Sequence, residues 1–129
     1  ATFHSTPSVT IADSISVDIP RCFHMTAGYI REYNGETILV SDLEILQAAH
    51  YLARTTGIFS EPAAAAAYAG MVKYRNGGLI TPGSKNVVLL TGSGLKDLGA
   101  VQDSITIPEP VEADLPTVEQ LLERHHMVR

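Results

Sequence analysis

The stretch best suited to chemistry is residues 87–97, Val-Val-Leu-Leu-Thr-Gly-Ser-Gly-Leu-Lys-Asp. Its four leading aliphatic residues suit a short strand buried on both faces, as in a parallel sheet. Gly92 and Gly94 then let the backbone take positive φ and let another group approach closely. In open α/β sheets, ligands bind beyond the carboxyl ends of the strands, which is where Thr91 falls. A hydroxyl there can donate or accept a hydrogen bond at the mouth of a pocket. The same residues also describe a polar strand-end turn with no ligand. Glu61, in Ser60-Glu61-Pro62-Ala63, reads as a first-turn acid favoured by the helix macrodipole. Other candidates are weaker. His125-His126 lacks a paired metal-ligand spacing, His24 and His50 fall on expected helices, and Cys22 has no basic neighbour to activate it.

The elements that must position these groups fit one domain. The 129 residues carry 45% hydrophobic and 18% charged side chains, enough for a single modest core. A net charge of −5 argues against an extended phosphate-binding surface, so nucleic acid is not an expected partner. No apolar run approaches a bilayer-spanning length, so no membrane partner is expected either. The single cysteine excludes an intrachain disulfide and fits a reducing, cytoplasmic setting. The chain starts Ala-Thr-Phe-His-Ser, which is neither a signal peptide nor an initiator Met.

In chain order, residues 10–17 suit one or two helical turns ended by Pro20. Residues 22–33 carry Phe23, Ala27 and Ile30 at helical spacing, with Asn34-Gly35 as a C-cap. Residues 37–40 read as a strand. Ser41 and Glu44 have the spacing of a capping box, opening a helix to about Thr56 that Gly57 stops. Its apolar stripe is Ile45, Ala49, Leu52, Leu46 and Ala53. Ser60 can cap the next helix, and Pro62 falls in its first turn. That helix runs through the alanines 63–67 to about Arg75 and ends at Asn76-Gly77-Gly78. Ala65 and Ala66 are expected against the sheet, with at most one facing solvent. Thr81-Pro82-Gly83 turns into the central strand. Residues 105–107 suit a further strand, and residues 108–116 a Pro-rich linker to a last helix opened by Thr117. The order predicts an α/β domain with a small, mainly parallel sheet flanked by helices.

Four strings in series carry a resemblance: residues 10–17, Thr-Ile-Ala-Asp-Ser-Ile-Ser-Val; 40–46, Val-Ser-Asp-Leu-Glu-Ile-Leu; 57–66, Gly-Ile-Phe-Ser-Glu-Pro-Ala-Ala-Ala-Ala; and 89–97, Leu-Leu-Thr-Gly-Ser-Gly-Leu-Lys-Asp. Together they resemble the C-terminal portion of the threonine synthases, within the fold-type II pyridoxal 5'-phosphate (PLP) enzymes. The Thr-Gly-x-Gly-Leu-Lys-Asp form favours that group over serine or threonine dehydratases and cysteine synthases, while cysteate synthase stays similar. The resemblance implies a PLP-dependent lyase of threonine biosynthesis, converting O-phosphohomoserine and water to threonine and phosphate. It implies that Thr91 hydrogen-bonds the pyridine nitrogen, that Gly92 and Gly94 let the backbone pass close to the ring, and that Glu61 lies near it. A neutral hydroxyl does not force protonation of that nitrogen, which tempers the ring as an electron sink.

The family's cofactor-bearing lysine segment and its glycine-rich phosphate loop do not appear. Lys73 falls on a helix, Lys85 in a polar turn and Lys96 within Gly-Leu-Lys-Asp, and none is a good substitute. Gly77-Gly78 reads as a helix end. The chain thus reads as a C-terminal fragment or domain, inactive alone, whose partners are the remainder of the enzyme or a second copy through an exposed apolar surface. The intact enzyme is expected to be a homo-oligomer. The competing reading is a non-catalytic α/β module of binding or regulatory function.

Overall fold

The computed structural model describes residues 4–102, 105 and 109–124. Their helices are α1 (Phe23–Glu32), α2 (Asp42–Thr56), α3 (Pro62–Asn76), α4 (Gly99–Gln102) and α5 (Leu115–Arg124). Two 3₁₀ turns, Asp13–Ile15 and Gly94–Lys96, complete the regular structure.

The expected parallel sheet is not found among the described residues. Residues 37–40 and 87–90 carry no strand assignment, and strand-like pairing is confined to an isolated antiparallel bridge between Ser60 and Ser93. A strand exists only through hydrogen bonds to a neighbour, and neither run finds one here. Val87 and Leu39 are accordingly among the most exposed aliphatic side chains. The expected strand over 105–107 lies, apart from Ile105, outside the described residues, as do Pro108 and His125-His126.

The core is a helix pair sealed by an N-terminal turn. Ser41 and Glu44 form the expected capping box, and Gly57 ends α2 in the left-handed region at φ 73°. In α3, Pro62 occupies the first turn, but Ser60 does not cap; Glu61 is the N-cap residue, without a side-chain cap bond. Asn34 takes φ 51° just past α1, which an asparagine tolerates better than most residues. The alanines of α3 meet α2, not a sheet. Ala65 and Ala69 pack with Ala12, Ile45, Ala48 and Ala49, and Ala66 is half-buried at the edge. Such small side chains let the two helices approach closely. Asp42 fastens the N-terminal segment to α2 by accepting from the Thr10 hydroxyl and the Ile11 amide. The linker is shorter than expected: α5 starts at Leu115, and its cap is Asp114, which accepts from the Thr117 amide at 3.0 Å. No helix among the described residues is long and apolar enough to cross a membrane.

Ala65 is fully buried, so Ala65→Leu is expected to cost about 1–3 kcal/mol by overpacking. Ala66→Leu should cost less. Chemical denaturation of the two variants checks the ranking.

The α2–α3 contact also carries a pH dependence. The Ser41 amide, Lys73 and the Ser41 hydroxyl all donate to Glu44 and hold its carboxyl below the usual range. A depressed folded value stabilises the fold above the unfolded carboxylate pKa and is lost as pH falls through the folded one. The unfolding midpoint should therefore drop on acidification into and below the carboxylate range. Glu44→Gln should flatten that drop, as thermal scans at several pH values would show.

Candidate functional site

Thr91, Gly92 and Glu61 come together where the 87–90 run meets the start of α3. The two segments are tied by reciprocal backbone bonds. The Glu61 amide donates to the Gly92 carbonyl at 3.1 Å, and the Gly94 amide donates to the Phe59 carbonyl at 2.9 Å. These flank the Ser60–Ser93 bridge, so the turn after Thr91 is held against the entry to α3. Thr91 itself is exposed, and its hydroxyl makes no hydrogen bond to a described residue. It is free to bind.

The two glycines are spaces that the chain fills itself. A Cβ built on Gly92 would lie 1.9 Å from Glu61 Oε1 and 2.2 Å from its Cδ. One on Gly94 would lie 2.6 Å from two carbons of the Phe59 ring. Close approach is therefore required at both positions, by Glu61 and by Phe59.

Glu61 is only 5% exposed. A buried carboxylate needs partners, and Oε2 has two: the Ser14 hydroxyl donates to it at 3.3 Å, and Lys96 Nζ stands 3.8 Å away. Ser14 comes from the first 3₁₀ turn and Lys96 from the second. Ser60 Oγ, beside Glu61, is buried without a hydrogen-bond partner among the described residues. The Ser14 and Lys96 contacts were missed from sequence. Lys96 carried a signal, a lysine four residues beyond the glycine that Glu61 abuts; Ser14 carried none.

The remaining candidates stay apart from this cluster. Cys22 is exposed, Lys73 pairs with Glu44 at 3.1 Å on the α2–α3 face, and Lys85 is exposed in irregular backbone just past the turn at Pro82-Gly83. No group of three or more metal-ligating side chains occurs among the described residues.

The family model described as "Pyridoxal-phosphate dependent enzyme" matches residues 1–92. A threonine synthase of Mycobacterium leprae is 40% identical over 114 residues, covering 87% of this chain and 31% of the relative. One of a Bacillus species is 41% identical over 88 residues, covering 68% and 25%. One of Methanocaldococcus jannaschii is 34% identical over 113 residues, covering 88% and 28%. The chain thus spans between 25% and 31% of the length of these three relatives.

Proposed function

The chain belongs to the pyridoxal-phosphate dependent enzyme family, and from that premise we propose that it forms part of a threonine synthase. The complete enzyme would be a lyase taking O-phosphohomoserine and water to threonine and phosphate, in a cytoplasmic setting that suits the free Cys22. The cofactor of this family, PLP, supplies an electron sink when bound. The observation that carries the reading is the Thr91 hydroxyl, exposed, without a partner among the described residues, and braced from behind through Gly92.

The residues present fit one edge of that cofactor. Thr91 would donate to, or accept from, the pyridine nitrogen, and as a neutral group it would not force a proton onto it. Glu61 and Gly92, the other two residues expected at the cofactor, would support the ring's surroundings, with Glu61 held behind Gly92. Lys73 and Lys96 each face a carboxylate, and the covalent lysine and the phosphate loop would come from elsewhere in the enzyme. The chain would then be inactive alone.

The remainder of the enzyme is also the proposed partner for the unpaired runs. Ile38, Val87 and Leu89 line a groove of about 880 Å³ over Ala66, Ala67 and Gly70 of α3. Strands seated against residues 37–40 and 87–90 would satisfy their backbone groups and complete the sheet of the family's fold type. A homo-oligomer of the intact enzyme is proposed on the same footing.

The test is an assay of the full-length protein carrying this chain. Release of phosphate with formation of threonine from O-phosphohomoserine is expected. Deamination of threonine, or replacement of the phosphate of O-phosphoserine by sulfite to give cysteate, would instead assign it to the dehydratase or cysteate synthase branch. Absence of all three activities with PLP bound would favour a non-catalytic module.

A further inference from the structure

We propose that Lys96 is a positioning residue: its ammonium holds the buried Glu61 carboxylate against Gly92 and so fixes the turn that presents Thr91. Its functional consequence rests on the reading of Thr91 as the cofactor contact; the brace itself does not.

The geometry is a three-part grip on one glycine. Glu61 Oε1 occupies the position next to Gly92 where a side chain would start, while Oε2 faces Ser14 and Lys96. The backbone of Glu61 holds the same glycine, its amide donating to the Gly92 carbonyl at 3.1 Å. Thr91 is the next residue along. Lys96 returns to this point because the 3₁₀ turn Gly94–Lys96 folds back on Ser93, with the Lys96 amide donating to the Ser93 carbonyl at 3.1 Å. Its ammonium is the cation within ion-pair distance of Glu61 among the described residues.

Charge decides which partner matters more. A carboxylate kept from water with one hydroxyl at 3.3 Å is poorly compensated, whereas a cation offsets its desolvation directly. Without Lys96 the carboxylate gains by turning out toward water. That movement withdraws the side chain from Gly92 and loosens the turn. The lysine of the Gly-Leu-Lys-Asp string, unsuited to carrying a cofactor, thereby acquires a role.

The experiment uses the full-length protein with its cofactor, reading amide exchange at Glu61 and Gly94 and, separately, the absorbance of the bound cofactor. In Lys96→Met, exchange at both amides should quicken roughly fivefold, the scale of losing an ion pair with one exposed partner. Lys96→Arg should restore protection, because a guanidinium can make the same contact. In a Glu61→Gln background, Lys96→Met should add nothing, since no charge remains to compensate. Unchanged exchange in Lys96→Met, failure of arginine to rescue, or full additivity with Glu61→Gln would each overturn the proposal. If exchange responds while the absorbance does not, the brace stands and the reading of Thr91 fails. If Thr91→Ala moves the absorbance while Lys96→Met leaves exchange unmoved, the brace alone falls.

Discussion

Gly92→Ala is expected to destabilise the fold by about 1–3 kcal/mol and to disable the site beside it. The added methyl would meet three successive atoms of Glu61, at 1.9, 2.2 and 2.7 Å. Rotating the carboxylate tip cannot clear all three, so the whole side chain must leave. It would give up Ser14 and Lys96 in doing so. The backbone cannot yield easily either, because the Glu61 amide and the Phe59 carbonyl pin the turn on both sides of Ser93. Denaturant unfolding measures the stability loss, and cofactor absorbance in the full-length protein measures the damage to the site. Removing the obstacle should recover part of the loss, so Gly92→Ala combined with Glu61→Ala should be less than additive. Full additivity would mean that Glu61 does not occupy that space.

Thr91→Ala has the opposite profile, a large functional effect with little structural one. The side chain is exposed and unbonded to any described residue, so its loss should leave the unfolding curve nearly unchanged. In the full-length protein it should weaken cofactor binding by the value of one neutral hydrogen bond, about 0.5–1.5 kcal/mol, or up to roughly tenfold. Turnover should fall with it, and the absorbance of the bound cofactor should shift. Thr91→Ser keeps the hydroxyl and should be mild. Equal losses in the two variants would point to packing of the threonine methyl instead.

What could be read from the sequence was what is decided locally. The capping box of Ser41 and Glu44, the left-handed Gly57 and the first-turn Pro62 each act within a few residues, and all three sit as expected. The sheet does not form among the described residues for a physical reason. Residues 37–40 and 87–90 have strand composition, but composition says nothing about whether a neighbouring strand is there to pair with. The alanine run was ambiguous in the same way, since small side chains permit close approach to a sheet or a helix, and here they meet α2. At the last helix, Asp114 competes with Thr117 for the cap and wins by bonding its amide. The site was half readable. Thr91, Gly92 and Glu61 could be named from their strings, yet the contact of Glu61 with Gly92 joins residues far apart in the chain. Its partners Ser14 and Lys96 appear only once both 3₁₀ turns have folded toward α3.

The central claim is that this chain supplies a hydroxyl contact to PLP and not the lysine that carries it. Borohydride reduction of the PLP-loaded full-length protein, followed by peptide mass mapping, tests this directly. The isolated 129 residues should yield no stoichiometric adduct under the same treatment, having a hydrogen bond worth about 0.5–1.5 kcal/mol with which to hold the ligand. In the full-length protein the reduced adduct is expected on a lysine other than Lys73, Lys85 or Lys96. A stoichiometric adduct on any of those three would contradict the claim and make this chain the bearer of its own covalent lysine.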